Sequence, residues 1–259
     1  MNLKKWLGLT IACSALALAA CGGGDAKTDG ADAAKTLKVG VNAEFAPFES
    51  LDANGQMQGF DIDLLNAIGT AEGVTIQFVD MPWDGLFVSL NSGDVNALAA
   101  AITTTEERKQ SMDFTEPYFT ITQVIAAPKD KAVATADDLK NLNKVAVVTG
   151  HTGDLVAQKI LGPTSNKIVR FENIALAMKE VENGGADVAI SDSAVVAHYL
   201  KNNPNQDLAI IPAEGFEDEF YGIAVRKGDA DTLAMLNEGL KKVRESGEYD
   251  TIYGKYFSK

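Results

Sequence analysis

The chain has 259 residues, 46% of them hydrophobic, and its 36 acidic and 23 basic side chains give a net charge of −13 at pH 7. So acidic a surface repels phosphate backbones and supplies none of the Lys/Arg patches that nucleic-acid binding needs. Two cysteines and two histidines, His151 and His198, are too few and too scattered for a metal centre, and no cofactor is expected.

At the start, Lys4 and Lys5 precede an apolar stretch from Trp6 to Ala20. Residues 1–20 therefore read as a secretory signal peptide, too short to span a bilayer. The ending Leu18-Ala19-Ala20-Cys21 looks like a bacterial lipobox, which makes Cys21 the lipid-bearing first residue of the processed chain. The alternative, simple cleavage near Ala20, leaves Cys21 an unexplained thiol in an oxidising compartment. Cys13 lies in the discarded segment, so processing leaves no disulfide. It also removes two lysines and no acid, taking the charge from −13 to −15. Residues 21–35 have no apolar period and read as a flexible tether, with a reach of ~20 Å. The expectation is a body exported across the inner membrane and held by a lipid anchor, periplasmic or at the cell surface.

From Leu37 onward short β-branched runs alternate with helical segments. LKVGV, VTIQFVDM, VNALAAAI, KVAVVTG, KIVRF, ADVAISD and LAIIPA read as strands, and FTITQVIAAPK and FYGIAVRKG as extended runs. GFDIDLLNAIGTA, WDGLFVSLNSG, TADDLKNL, GDLVAQKILG, NIALAMKEVENGG and SAVVAHYLKNNP read as helices, and residues 230–258 as two more. This alternation argues for an α/β architecture of parallel sheets flanked by helices.

The segment Ala100–Phe114 is the most informative. Thr103 and Glu106 fit a capping box, which predicts a helix starting there, and its amino end favours an anion. Arg108 adds a fork of donors suited to a carboxylate. In open α/β sheets ligands bind beyond the carboxyl ends of strands, and polar or aromatic residues stand at each such exit. They are Asn42, Glu44, Phe45 and Phe48, then Trp83, then Thr103 and Arg108, then Thr149 to Gly153, and finally Ser191 to Ser193. Each has a plainer meaning: Ser191, Asp192 and Ser193 as helix caps, Phe48 as core, and the acids 217–219 as a solvated face.

Several blocks in one order resemble a known family. LKVGVNAEFAPFESLDANGQMQGFDIDLLNAI, WDGLFVSLNSGDVNALAAAITTTEERKQSMDFTEPYF, ADVAISD, YGIAVRKGD and GEYDTIYGKYF are similar to the polar amino-acid-binding proteins of bacterial ABC importers, solute-binding family 3. The resemblance implies a two-lobed, type II periplasmic-binding-protein-like fold with the ligand cleft between lobes. Lobe 1 would comprise 36–118 and 223–259, lobe 2 would be 123–218, and 119–122 and 219–222 would be the hinges. It implies that Arg108 grips the ligand's α-carboxylate, helped by Thr103 and the backbone of Ala101. Asp192, from the other lobe, receives the α-ammonium. Phe45 and Trp83 sandwich the side chain, and Thr149, Thr152 and Gly153 form the loop that closes over it. The implied partners are a polar L-amino acid, a permease with its ATPase, and the membrane through the lipid, with a monomeric body.

Asn42 departs from the family pattern, because relatives that take basic or amide side chains commonly carry Asp or Glu there. An amide in place of a charge argues against a strongly cationic ligand. VRFEN, ENGGAD and YLKNNPN instead resemble members that bind basic amino acids, so glutamine and arginine or lysine both stay open. An enzyme on this scaffold, similar to cyclohexadienyl dehydratases, would need a general acid, and only Glu44 or His151 offers one. A binding module serving a sensor needs the same cleft as one serving a permease.

Overall fold

The computed structural model describes residues 35–204, 207–211 and 213–257; the predicted signal peptide, Cys21 and nearly all of the tether lie outside the described residues. The chain opens with β1 (Thr36–Val41) and a small antiparallel sheet of β2 (Glu44–Phe45), β3 (Glu49–Leu51) and β4 (Met57–Gln58). Then follow α1 (Phe60–Glu72), β5 (Thr75–Asp80), α2 (Trp83–Ser92), β6 (Ala97–Leu98), α3 (Arg108–Ser111) and β7 (Met112–Phe114). The long β8 (Phe119–Pro128) leads through a 3-10 turn at Ala136–Asn141 to β9 (Val145–Val148), α4 (Thr152–Leu161), β10 (Ile168–Phe171) and α5 (Ile174–Glu182). The rest is β11 (Val188–Asp192), α6 (Ser193–Asn202), β12 (Leu208–Ile211), β13 (Asp218–Tyr221), β14 (Ala224–Arg226), α7 (Ala230–Glu245) and α8 (Glu248–Phe257).

Two larger sheets organise these elements, one ordered β5-β1-β6-β14-β7, the other β10-β9-β11-β8-β12 with β13 also on β8. Their centres are parallel, as the βα alternation implies, but both are mixed: β14 runs antiparallel to β6 and β7, and β8 antiparallel to β11, β12 and β13. The departure from all-parallel sheets has one cause. The chain passes from the first sheet to the second between β7 and β8, and returns between β13 and β14. The two crossings run antiparallel, in register from Asp218↔Thr122 to Tyr221↔Phe119.

Local sequence explains the elements. Phe60, Leu64, Leu65 and Ile68 of α1 are all fully buried at helical spacing, and α1 stops at Gly73, whose φ of 66° suits a left-handed cap. Asn173 caps α5 by accepting from the Leu176 N–H at 3.0 Å. Phe48 proves to be core, as preferred above. Its ring meets Phe119, Tyr221 and Phe60 edge-on at 4.9, 5.1 and 6.2 Å, which ties the small sheet to the crossing strands. Among the described residues no helix is long and apolar enough to cross a membrane.

Two readings around Arg108 need correction. VNALAAAI is a strand only at Ala97–Leu98, because the backbone turns at Ala101, whose φ is 47°. Thr103 and Glu106 form no capping box. The helix spans only Arg108–Ser111, its N-cap is Glu107, and the Thr103 hydroxyl bonds Glu219 instead. A one-turn helix carries little dipole, so the anion argument now rests on Arg108 alone. The capping geometry occurs elsewhere, at Thr135 and Asp138 before the 3-10 turn.

Candidate ligand-binding site

Arg108 follows the end of β6 in the first sheet, and Asp192 ends β11 in the second. The Arg108 guanidinium donates to the Thr103 carbonyl at 3.0 Å and to the Gly150 carbonyl at 3.1 Å. It lies 5.3 Å from the centre of the Trp83 ring, within cation–π range. Burial draws its pKa below the ordinary arginine value, and the carboxylates of Asp192 and Glu219 oppose that shift. The group stays cationic.

Asp192 is buried, with 4% of its surface exposed. It stands at the N-cap of α6, yet its side chain makes no capping bond. One carboxylate oxygen accepts from Gln123 Nε2 at 2.6 Å and the other from the Tyr221 hydroxyl. Burial lifts its pKa to about 6, while the bonds from Tyr221 and Gln123 and the nearby Arg108 charge pull it back. Gln123 Nε2 also approaches Thr152 Oγ1 at 3.0 Å and Glu219 Oε2 at 3.3 Å, and Glu219 Oε2 accepts from Thr103 Oγ1 at 3.2 Å. A continuous polar chain thus runs Arg108–Thr103–Glu219–Gln123–Asp192. It joins two opposite charges that belong to different sheets, Arg108 half-buried and Asp192 buried.

Phe45 and Trp83 both come from the first sheet's exits and face one slot. The imidazole of His151 fills it, tilted on Trp83 at 4.1 Å and edge-on to Phe45 at 5.1 Å. Burial and the Arg108 charge lower the His151 pKa to about 3, so the ring is neutral near pH 7. Gly150 precedes it with φ of 72°, its N–H held by Asp154 at 3.1 Å, and Asp154 pairs with Arg170 at 2.9 Å.

The remaining predicted residues are dispersed around this centre. The Ala101 N–H donates to buried Asp61 at 2.9 Å, which fixes the turn before Thr103. Asn42 turns its amide to the Met81 carbonyl at 3.2 Å. Thr149 is exposed, and its hydroxyl donates to the Phe171 carbonyl at 3.2 Å, away from Arg108. Thr152 and Gly153 begin α4 against Gln123. A β-carbon on Gly153 would stand 2.7 Å from the Ile190 carbonyl. Gly153→Ala is therefore expected to destabilise the fold by about 1–3 kcal/mol, visible as a lower Tm in thermal unfolding. Unchanged Tm would mean the loop yields without strain.

Gln123, Glu219 and Tyr221 were not among the predicted site residues, and His151 was named only within the exit Thr149 to Gly153 and as a possible general acid. A signal for Gln123 existed: Phe119, Ile121, Gln123 and Ile125 share the buried face of β8, so an amide stands where the period demands an apolar side chain. Glu217 and Asp218 are solvated as expected; Glu219 is not. A cavity of about 510 Å³ adjoins Trp83 and is lined by Asn42, Thr149 and four carboxylates, Glu44, Asp80, Asp84 and Glu172. Another, of about 660 Å³, reaches Gln123 and Glu219.

The profile of the bacterial extracellular solute-binding proteins, family 3, matches residues 37–259. A relative from Neisseria gonorrhoeae named "Probable histidine-binding protein" is 56% identical over 261 residues, covering 100% of this chain and 97% of its own. The solved arginine-, lysine-, histidine-binding protein ArtJ of Geobacillus stearothermophilus superposes with a TM-score of 0.82 at 41% identity, covering 87% of this chain and 96% of its own. An ancestral arginine-binding protein bound to arginine gives 0.81 at 40% identity, covering 86% and 98%. With polar residues at its strand exits, two sheets joined by paired crossings and a match across nearly all of its described length, this chain belongs to the bacterial extracellular solute-binding proteins of family 3.

Proposed function

We propose that the protein is the amino-acid-binding component of an ABC importer, which closes two lobes over the zwitterionic group of a polar L-amino acid and hands it to a permease. One observation carries the reading: half-buried Arg108 and buried Asp192 are opposite charges, borne beyond strand ends of different sheets and joined by a single chain of hydrogen-bonded residues. An α-carboxylate and an α-ammonium match that pair, and hydrogen bonds to charged groups contribute about 1.5–3 kcal/mol each. A ligand touching both halves favours only the closed arrangement, and about 5.5 kcal/mol of such differential affinity suffices to reverse a 99:1 population. In this proposal lobe 1 is 36–118 with 223–259, lobe 2 is 123–218, and 119–122 and 219–222 are the hinges. Cys21 carries the lipid anchor, and the body acts as a monomer.

For the side chain we propose a basic or flat polar group, histidine or arginine ahead of glutamine. The slot between Phe45 and Trp83 already accommodates an imidazole, and four carboxylates line the adjoining cavity, which supplies the negative charge that Asn42 lacks. The names of the relatives favour the same class. Binding without turnover is the proposed activity, since a neutral His151 lacks the acidic imidazolium proton near pH 7. Calorimetric titration with all twenty L-amino acids should give saturable binding of histidine or arginine, and prephenate and arogenate should remain unconverted. A protein that answers only to sugars, peptides or metals would overturn the proposal.

A further inference from the structure

The capture scheme leaves His151 without a task, although its ring has the most central position in the site. It comes from the loop before α4 in the second sheet, yet it lies between two aromatic rings of the first. The preceding residue, Gly150, sets its carbonyl on Arg108, the group assigned to the ligand's carboxylate. Two consecutive residues thus imitate both ends of a bound amino acid: an oxygen on the guanidinium and a flat side chain in the slot. We propose that His151 is an affinity-setting residue, a built-in occupant of the side-chain slot that an incoming amino acid must evict. The inference rests on the amino-acid-binding reading above.

Three features make the ring a removable occupant rather than a core residue. Its Nε2 is buried with no hydrogen-bond partner, so stacking alone holds that edge, and leaving the nitrogen dry opposes the packing. Glycine at 150, with φ of 72°, gives the backbone freedom beside the ring. His151 is the N-cap of α4, and its carbonyl accepts from the Asp154 and Leu155 N–H groups, so the ring can leave by side-chain rotation while the helix stays seated. Arg108 faces the imidazole from the first sheet and Asp154 from the first turn of α4, and a ligand carboxylate arriving at Arg108 displaces the carbonyl that tethers this loop.

The test is calorimetry with L-arginine and L-histidine on the purified protein without residues 1–20, which leaves Trp83 as its only tryptophan, and on its His151→Ala and His151→Phe variants. His151→Ala is expected to bind the preferred ligand about two- to tenfold more tightly, the range of one aromatic contact. His151→Phe, which keeps the loop packed should alanine unsettle it, is expected to bind more weakly than the parent, because no orphaned nitrogen offsets its stacking. Without added ligand, Trp83 emission in His151→Ala should move to longer wavelength as the indole is uncovered. Unchanged or weaker binding by His151→Ala, or tighter binding by His151→Phe, overturns the proposal while leaving the amino-acid reading intact. A parent that binds none of the twenty amino acids sinks both.

Discussion

Replacing Arg108 with alanine is expected to weaken amino-acid binding by two to three powers of ten. The guanidinium is desolvated, so it meets a carboxylate in a medium where the attraction is strong. Truncating one partner of such a buried pair typically costs about 3–5 kcal/mol. Arg108→Lys should recover only part of the loss, because an ammonium lacks the planar fork that meets both carboxylate oxygens. Asp192→Asn keeps one of the two oxygens that accept from Gln123 and Tyr221 and removes the charge, and should cost about 2–5 kcal/mol in binding. Acidity gives an independent check. Burial holds the Asp192 carboxyl near a pKa of about 6, and only its ionised form pairs with an ammonium. Affinity should therefore fall by up to tenfold per unit below that pH, and between it and about pH 7 it should be flat. The measurement is calorimetry across pH 4.5 to 8 on folded variants. Arg108→Ala within tenfold of the parent would show that the carboxylate is held elsewhere.

Sequence reasoning placed Arg108, Asp192, Phe45 and Trp83 at one locus because strand ends in α/β sheets converge, and each of these residues follows a strand or opens the helix after one. Its failures have particular causes. Thr103 and Glu106 match a capping box in spacing, but the Thr103 hydroxyl finds Glu219, 116 residues away, and a local rule cannot weigh that competitor. The apolar run VNALAAAI reads as a strand, although Ala101 takes a left-handed backbone whose N–H is held by Asp61. β2, β3 and β4 are two or three residues long, too short to show a period. His151 stood within the polar exit Thr149 to Gly153, but its place in the aromatic slot depends on how loops of two sheets meet. Pairing across chain distance, rather than local propensity, is what a single sequence hid.

Stability should fall as pH rises from about 4 to about 7, and a buried carboxyl pair in the first sheet is the main reason. Glu49 of β3 and Asp61 of α1 are both buried. Asp61 accepts from the Ala101 N–H at 2.9 Å and the Tyr118 hydroxyl at 2.7 Å. Glu49 Oε2 and Asp61 Oδ1 have no other donor, and a proton shared between the two side chains supplies one. Burial is the largest cause for both: it pushes Asp61 up to about 7 and Glu49 well above the usual carboxylate range, the latter reinforced by the neighbouring Asp61 charge. Above pH 4 the unfolded chain has released these protons while the folded chain keeps them, so the contribution is full at low pH and lost as pH rises through the folded values. For Asp61 alone the loss amounts to about 4 kcal/mol, at 1.36 kcal/mol per pH unit. Glu49→Gln keeps a permanent N–H donor for Asp61 and carries no titrating proton, so it should flatten the slope without opening the core. Asp192 titrates in the same direction and leaves a residual slope in the variant, whereas His151, held to about 3 in the fold, titrates in the opposite direction and offsets part of the fall below about pH 6.5. Urea unfolding at pH 5, 6, 7 and 8 decides the matter: equal slopes in parent and variant, or a parent more stable at pH 8 than at pH 7, where His151 no longer titrates in either state, would show that the pair is not protonated. Because Asp61 also holds the turn that presents Thr103 and Arg108, the same ionisation should loosen ligand affinity above pH 7, a loss that Glu49→Gln lessens.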